Sequence, residues 1–147
     1  MFSAIKSLLS PFVVLVFVLS FSGLAAASLQ DIETAIMQKD YQKAYDLSQD
    51  FVGKKPSAPE ALEAKYYLGL SELRLGKSTE ARKLFNEILL REPSYVGSYY
   101  HLGKLLERVA DFDRAIKVYK RGMEEAKKAG DNHSYNELQW ALEDIEE

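Results

Sequence analysis

Residues 60–93 read EALEAKYYLGLSELRLGKSTEARKLFNEILLREP, and residues 94–127 read SYVGSYYHLGKLLERVADFDRAIKVYKRGMEEAK. With one laid above the other, Leu68-Gly69 meets Leu102-Gly103, Leu75 meets Val109, Ala81 meets Ala115 and Phe85 meets Tyr119, always 34 residues apart. Five matches in one register mark an internal repeat, and a fixed period of this length points to stacked supersecondary units. A weaker copy lies upstream. Asp40-Tyr41-Gln42-Lys43-Ala44 parallels Asp111-Phe112-Asp113-Arg114-Ala115, and Pro56 precedes Pro93 by 37 residues, so about three residues are inserted around Lys55 to Pro59.

Apolar periodicity and local punctuation predict helices at about 29–39, 41–53, 60–75, 78–91, 95–109, 112–129 and 132–146, and no segment shows the two-residue alternation of a strand. Asp111 is placed to accept the free N–H groups of the helix opening at Phe112, and Ser78 to do the same one repeat earlier. Pro93 lacks an N–H and pushes Glu92 out of helical geometry, which stops the fourth helix. Gly130 suits a left-handed helix end, with Asp131 or Asn132 capping the next helix. That last helix carries Tyr135, Leu138, Ala141, Leu142 and Ile145 on one side, as a closing element should. The expected fold is all-α: an α-solenoid of about three helix-turn-helix repeats, at 28–56, 60–93 and 96–129, closed by a capping helix at 132–146.

The 34-residue spacing with Leu68-Gly69, Gly76, Ala81, Phe85 and Pro93 resembles the tetratricopeptide repeat family. Residues 96–129 match it at Leu102, Gly103 and Ala115, with Tyr99, Leu106 and Tyr119 as substitutes; residues 28–56 match only at Ala44 and Pro56. The resemblance implies that Leu68, Gly69, Ala81, Phe85, Pro93, Leu102, Gly103, Ala115 and Tyr119 pack the repeats. The expectation is that Gly69 and Gly103 face Ala81 and Ala115 where paired helices approach, and that Phe85 and Tyr119 fill the seam toward the next helix. Lys65 and Glu72 depart from the pattern by standing where aromatics are usual. Their stems are expected to cover the core while their heads reach water or a neighbouring charge. The first repeat has Ile32 where the family prefers glycine.

Residues 1–27 are unlike the rest. They hold about 19 apolar side chains and a single charge, Lys6, ahead of the run Phe12–Leu19 and the small residues Ala25-Ala26-Ala27-Ser28. This order is that of a secretory signal, with cleavage expected between Ala27 and Ser28; an uncleaved membrane anchor is the competing reading. The remaining chain, 28–147, forms one repeat domain. It carries 18 basic against 22 acidic residues once Lys6 is removed, about −4, which disfavours nucleic acid as a partner. The absence of cysteine excludes a disulfide framework and a thiolate metal site. An exported protein, periplasmic or secreted, is expected, touching membrane only if the leader stays attached.

Chemistry-bearing motifs are few. Gly76-Lys77-Ser78 lacks the earlier glycine and the preceding strand of a phosphate loop. His101 and His133 have no helical partner with which to hold a metal, and His101 is expected in the groove or on the surface. Neither a cofactor nor a catalytic set is indicated, and an enzyme is the least favoured reading.

The family resemblance implies instead a concave groove lined by the first helix of each repeat. Carried over by position, it would expose Gln30, Glu33 and Met37, then Tyr66, Tyr67, Leu70 and Arg74, then Tyr100, His101, Lys104 and Arg108. Tyr66 and Tyr100 have packing within the superhelix as an alternative role. Arg74, Lys104 and Arg108 would make the groove basic, which points to an acidic or C-terminal segment of a partner protein. The Lys and Asn set with which chaperone-binding members hold a terminal carboxylate is missing. The function expected is a non-enzymatic interaction scaffold, with a self-associating or membrane-tethered assembly subunit as the alternative.

Overall fold

The structure, a computed structural model, describes residues 27–54 and 56–146. Seven helices and no strand occur among them: α1 (Leu29–Met37), α2 (Tyr41–Gly53), α3 (Ala58–Arg74), α4 (Ser78–Arg91), α5 (Gly97–Arg108), α6 (Phe112–Ala129) and α7 (Asn132–Glu146). Each helix packs against its neighbour in sequence, and the first helices of successive units also meet, α1 with α3 and α5 with α7. That contact pattern is a solenoid of antiparallel pairs α1/α2, α3/α4 and α5/α6, with α7 closing the third. The expected leader lies outside the described residues. Of the expected cleavage junction only Ala27 and Ser28 are described, and Ser28 caps α1, exchanging bonds with Asp31 in a capping box.

Four turns share one device. Lys39, Gly76, Ala110 and Gly130 each take a left-handed conformation (φ 59°, 81°, 56° and 69°), and the residue after each donates its N–H back across the turn. These bonds run from Asp40 to the Ala35 carbonyl, from Lys77 to Glu72, from Asp111 to Leu106 and from Asp131 to Ala126, at 2.8–2.9 Å. They are the six-to-one closures that satisfy the last carbonyls of a helix. This is why α1 stops at Met37 rather than near residue 39. Asp40 and Asp111 cap the following helices through Lys43 and Arg114, but Ser78 does not: it is the first residue of α4, and Lys77 occupies the cap with no side-chain bond. The third helix begins two residues earlier than expected, because Ser57 and Glu60 form a capping box and Pro59 fits the first turn. The fifth begins two residues later, since Tyr95 and Val96 lie in a turn, and the Tyr99 hydroxyl donates to the Pro93 carbonyl at 2.9 Å.

The core runs through the repeats. Ala81, Phe85, Ile88, Ala115, Tyr119 and Ala126 are wholly buried, together with Leu102, Leu105, Leu106 and, from α7, Leu138, Ala141 and Leu142. The glycines make room for aromatics rather than for Ala81 and Ala115. A methyl group on Gly69 would sit 3.0 Å from the Phe85 ring, one on Gly103 would overlap the Tyr119 ring, and one on Gly122 would overlap Tyr99 and Leu138. In the second and third repeats the second helix thus presses its aromatic, Phe85 or Tyr119, onto the bare backbone of its own first helix. Lys65 behaves as expected, its ammonium on Glu87 of α4. Glu72 does not: it is 6 % exposed with one carboxylate oxygen unpartnered, and burial, followed by Glu80, raises its pKa.

Candidate partner-binding groove

The first helices carry the expected groove residues, and the structure divides them into three sets. Tyr66 and His101 form the seam between the second and third repeats. The Tyr66 hydroxyl lies 3.3 Å from His101 Nε2, and its ring centre is 5.2 Å from that of Tyr95 and 6.1 Å from that of Phe85. His101 stacks on Phe85 at 5.4 Å and 25°. Burial, with help from the Arg74 charge, pushes the imidazole down to about 4, so it is neutral at physiological pH. His101 is therefore a seam residue rather than a free groove contact, its ring centre 5.4 Å from that of Phe85 and 5.9 Å from that of Tyr66.

Tyr67, Leu70 and Tyr100 make the second set, all half-buried. Tyr67 lies beside Tyr66 at 5.9 Å, and its hydroxyl reaches Glu63 at 3.5 Å. Burial, then the charges of Glu33 and Glu63, push its phenol up to about 12. Leu70 packs on the core, and Tyr100 meets His101 edge-on at 5.5 Å.

The cations are the third set, and they do not make a basic groove. Lys104 is held 3.1 Å from Glu107, whose carboxylate also accepts the Tyr119 hydroxyl. The Arg74 guanidinium lies 6.0 Å over the Tyr41 ring of α2, and Arg108 is exposed in a cleft between α4 and α5 with Ser78, Thr79, Arg82 and Val109. Residue spacing placed these three on the groove helices but said nothing about Glu107 or about which way each stem turns.

Four residues escaped the reading by position. Glu63 and Tyr95 flank the Tyr66–Tyr67 pair, and Glu137 of α7 is near enough to Tyr66 to raise its pKa, after burial. Trp140 is the fourth. Leu68, Leu102 and Leu138 are the buried residues of equivalent turns, and two places on stand Leu70, Lys104 and Trp140. By this register α7 continues the inner wall as if it opened a fourth repeat, presenting Trp140, which is 65 % exposed, one turn from Glu137 and one from Asp144. The signal was in the sequence: the one tryptophan stands off the apolar stripe of the last helix.

The tetratricopeptide repeat profile matches residues 23–96 and 66–130, most of the chain. The chain belongs to the tetratricopeptide repeat family. A tetratricopeptide repeat domain protein from Salinibacter ruber is 39 % identical to it over 58 % of this chain and 94 % of that one, with a TM-score of 0.57. Two other tetratricopeptide repeat structures share the fold at lower identity. The TPR2B domain of yeast Sti1, solved as a complex with pHsp70, aligns over 80 % of this chain and 91 % of its own with a TM-score of 0.71 at 14 % identity. The Sgt2 TPR domain from Aspergillus fumigatus aligns over 80 % and 73 % with a TM-score of 0.66 at 21 % identity. No match was found among curated protein sequences. Tetratricopeptide repeat domains are in general protein-interaction scaffolds rather than enzymes.

Proposed function

We propose that this protein is a non-enzymatic adaptor of the cell envelope, exported by its leader, that holds a segment of a partner polypeptide against the inner surface of the solenoid. The observation that carries the reading is the set of half-buried tyrosines on and next to α3 and α5, Tyr66, Tyr67, Tyr95 and Tyr100, with Trp140 exposed on α7. Tyr and Trp are the residue types that anchor interfaces, because they bury area with few rotors and keep a directed polar group. A relative in fold, the Sti1 TPR2B domain, was solved with a protein ligand bound, which supports reading this surface as a binding face. Export rests on Lys6, the Phe12–Leu19 run and Ala25-Ala26-Ala27.

Capture from the native compartment tests the reading. Wild type and a Tyr100→Ala, Trp140→Ala variant are used as baits, and bound proteins are identified by mass spectrometry. Loss of a specific protein from the variant is expected; identical partners on both baits would remove the groove from the account. Amino-terminal sequencing of the exported protein should begin at Ser28, and a Met1 terminus would defeat cleavage.

A further inference from the structure

The tyrosine-bearing part of the inner surface carries carboxylates. Tyr66 and Tyr67 stand at the middle of α3 and Tyr95 just before α5; Glu63 lies 3.5 Å from the Tyr67 hydroxyl, and the charges of Glu33 and Glu137 reach Tyr67 and Tyr66. Arg74 and Arg108 are the last residues of α3 and α5. Several carboxylates elsewhere on the scaffold are neutralised, Glu87 by Lys65 and Arg91, Glu107 by Lys104, Glu125 by Arg121 and Lys128, while buried Glu72 has no ion pair among the described residues. Among the described residues no ion pair neutralises Glu33, Glu63 or Glu137.

We infer that the tyrosine-bearing part of the groove recognises a cationic segment of its partner, a lysine or arginine flanked by apolar residues. The inference rests on the groove reading above and adds the sign of the ligand. An aromatic face attracts an ammonium or guanidinium placed within about 6 Å of its centre, and tryptophan does so best. Here the Tyr66 ring lies 5.9 Å from that of Tyr67 and 5.2 Å from that of Tyr95, and Trp140 stands one turn from Glu137 on α7. Carboxylates beside aromatic faces supply the counter-charge, while the apolar flanks of the segment would rest on Leu70 and the Trp140 ring. Burial raises the phenols of Tyr66, Tyr67 and Tyr95 above their ordinary range, and the charge of Glu137 adds to it at Tyr66, those of Glu33 and Glu63 at Tyr67, and that of Glu63 at Tyr95. An acidic segment would meet repulsion there.

Trp140 is the only tryptophan, so its emission reports on this surface alone. The full chain is titrated with capped peptides of lysine, leucine and serine, and with the same peptides carrying glutamate for lysine. The lysine peptide is expected to shift Trp140 emission and to bind at least about tenfold more tightly than the glutamate peptide. In a Glu63→Gln, Glu137→Gln variant of unchanged far-ultraviolet circular dichroism that preference should vanish. Equal or tighter binding of the glutamate peptide, with a Trp140 response, would overturn the cation preference and leave the groove standing. No response to either peptide would remove the groove reading and the inference with it. An emission shift that grows with protein concentration alone, matched by a rising mass in light scattering, would give the surface to a second copy and overturn the inference.

Discussion

Gly103 and Gly122 work through the atom they lack. The Tyr119 ring crosses the bare backbone of Gly103, and Tyr99 with Leu138 crosses Gly122, so the third repeat closes on both sides of α6 only if neither carries a β-carbon. Gly103→Ala is expected to destabilise the fold by about 1 to 3 kcal/mol, the range for overpacking a tight core, and Phe85→Ala by about 3 to 5 kcal/mol through cavity formation. Urea denaturation followed by circular dichroism measures both; a neutral Gly103→Ala would show that Tyr119 moves aside freely. His101 gives a pH dependence with a definite sign. Its folded pKa, about 4, lies below the unfolded value, so its contribution is fully present above pH 6.5 and is lost as pH falls toward 4. The loss is up to about 3 kcal/mol. His101→Phe should flatten the stability profile between those limits, and an unchanged acid slope would show that the imidazole is not held neutral. The periodicity identified Gly69, Gly103, Phe85 and Tyr119 as packing residues but mispaired them. Spacing along one helix cannot say which side chain of the next helix arrives opposite, and an alanine four residues before an aromatic looks the better partner for a glycine until the rings are placed.

At the level of elements, the left-handed turns explain both the agreement and the differences in helix bounds. Pro93 and Gly130 announce their helix ends in the residue itself, and α4 and α6 end where expected. Lys39 and Ala110 do not, since nothing about lysine or alanine favours positive φ; only the repeat alignment with Gly76 reveals them. An L-residue in this conformation costs about 1 to 2 kcal/mol. Ala110→Gly should therefore stabilise the protein by up to about 1 kcal/mol after glycine's own entropic cost, while Gly76→Ala should destabilise it. Opposite shifts of thermal midpoint in the two variants check this, and a loss of stability in both would contradict the shared turn. Helix α7 was legible as a cap from its apolar stripe, but not as a wall of the inner surface. That role depends on where Glu137 and Trp140 fall relative to Tyr66 of α3, a relation between helices distant in sequence.

Across the whole molecule, stability is spread along neighbour interfaces, and the tyrosines mark them. Burial raises the pKa of Tyr66, Tyr67, Tyr95, Tyr99 and Tyr119, with nearby carboxylates adding to it. Each group whose folded pKa is raised contributes stability that is present below pH 10 and lost as pH climbs through the folded value. An absorbance titration at alkaline pH should show the remaining tyrosines ionising first and these five following only as the helices unfold. Nine tyrosines titrating together near pH 10 would refute the buried cluster. Net charge was read as acidic, and that total says nothing about Lys104 finding Glu107 or the Glu137 charge reaching Tyr66 from α7.

The common turn at Gly76 and Ala110 also makes the molecule modular. Because the chain enters and leaves these points in the same conformation 34 residues apart, residues 77–110 form a cassette whose two ends are interchangeable. Inserting a second copy after Ala110 joins like to like, and should lengthen the solenoid by one helical pair while leaving both original ends intact. The inner wall would then repeat Tyr95, Tyr100 and Lys104, so a partner segment could be matched in length by counting cassettes.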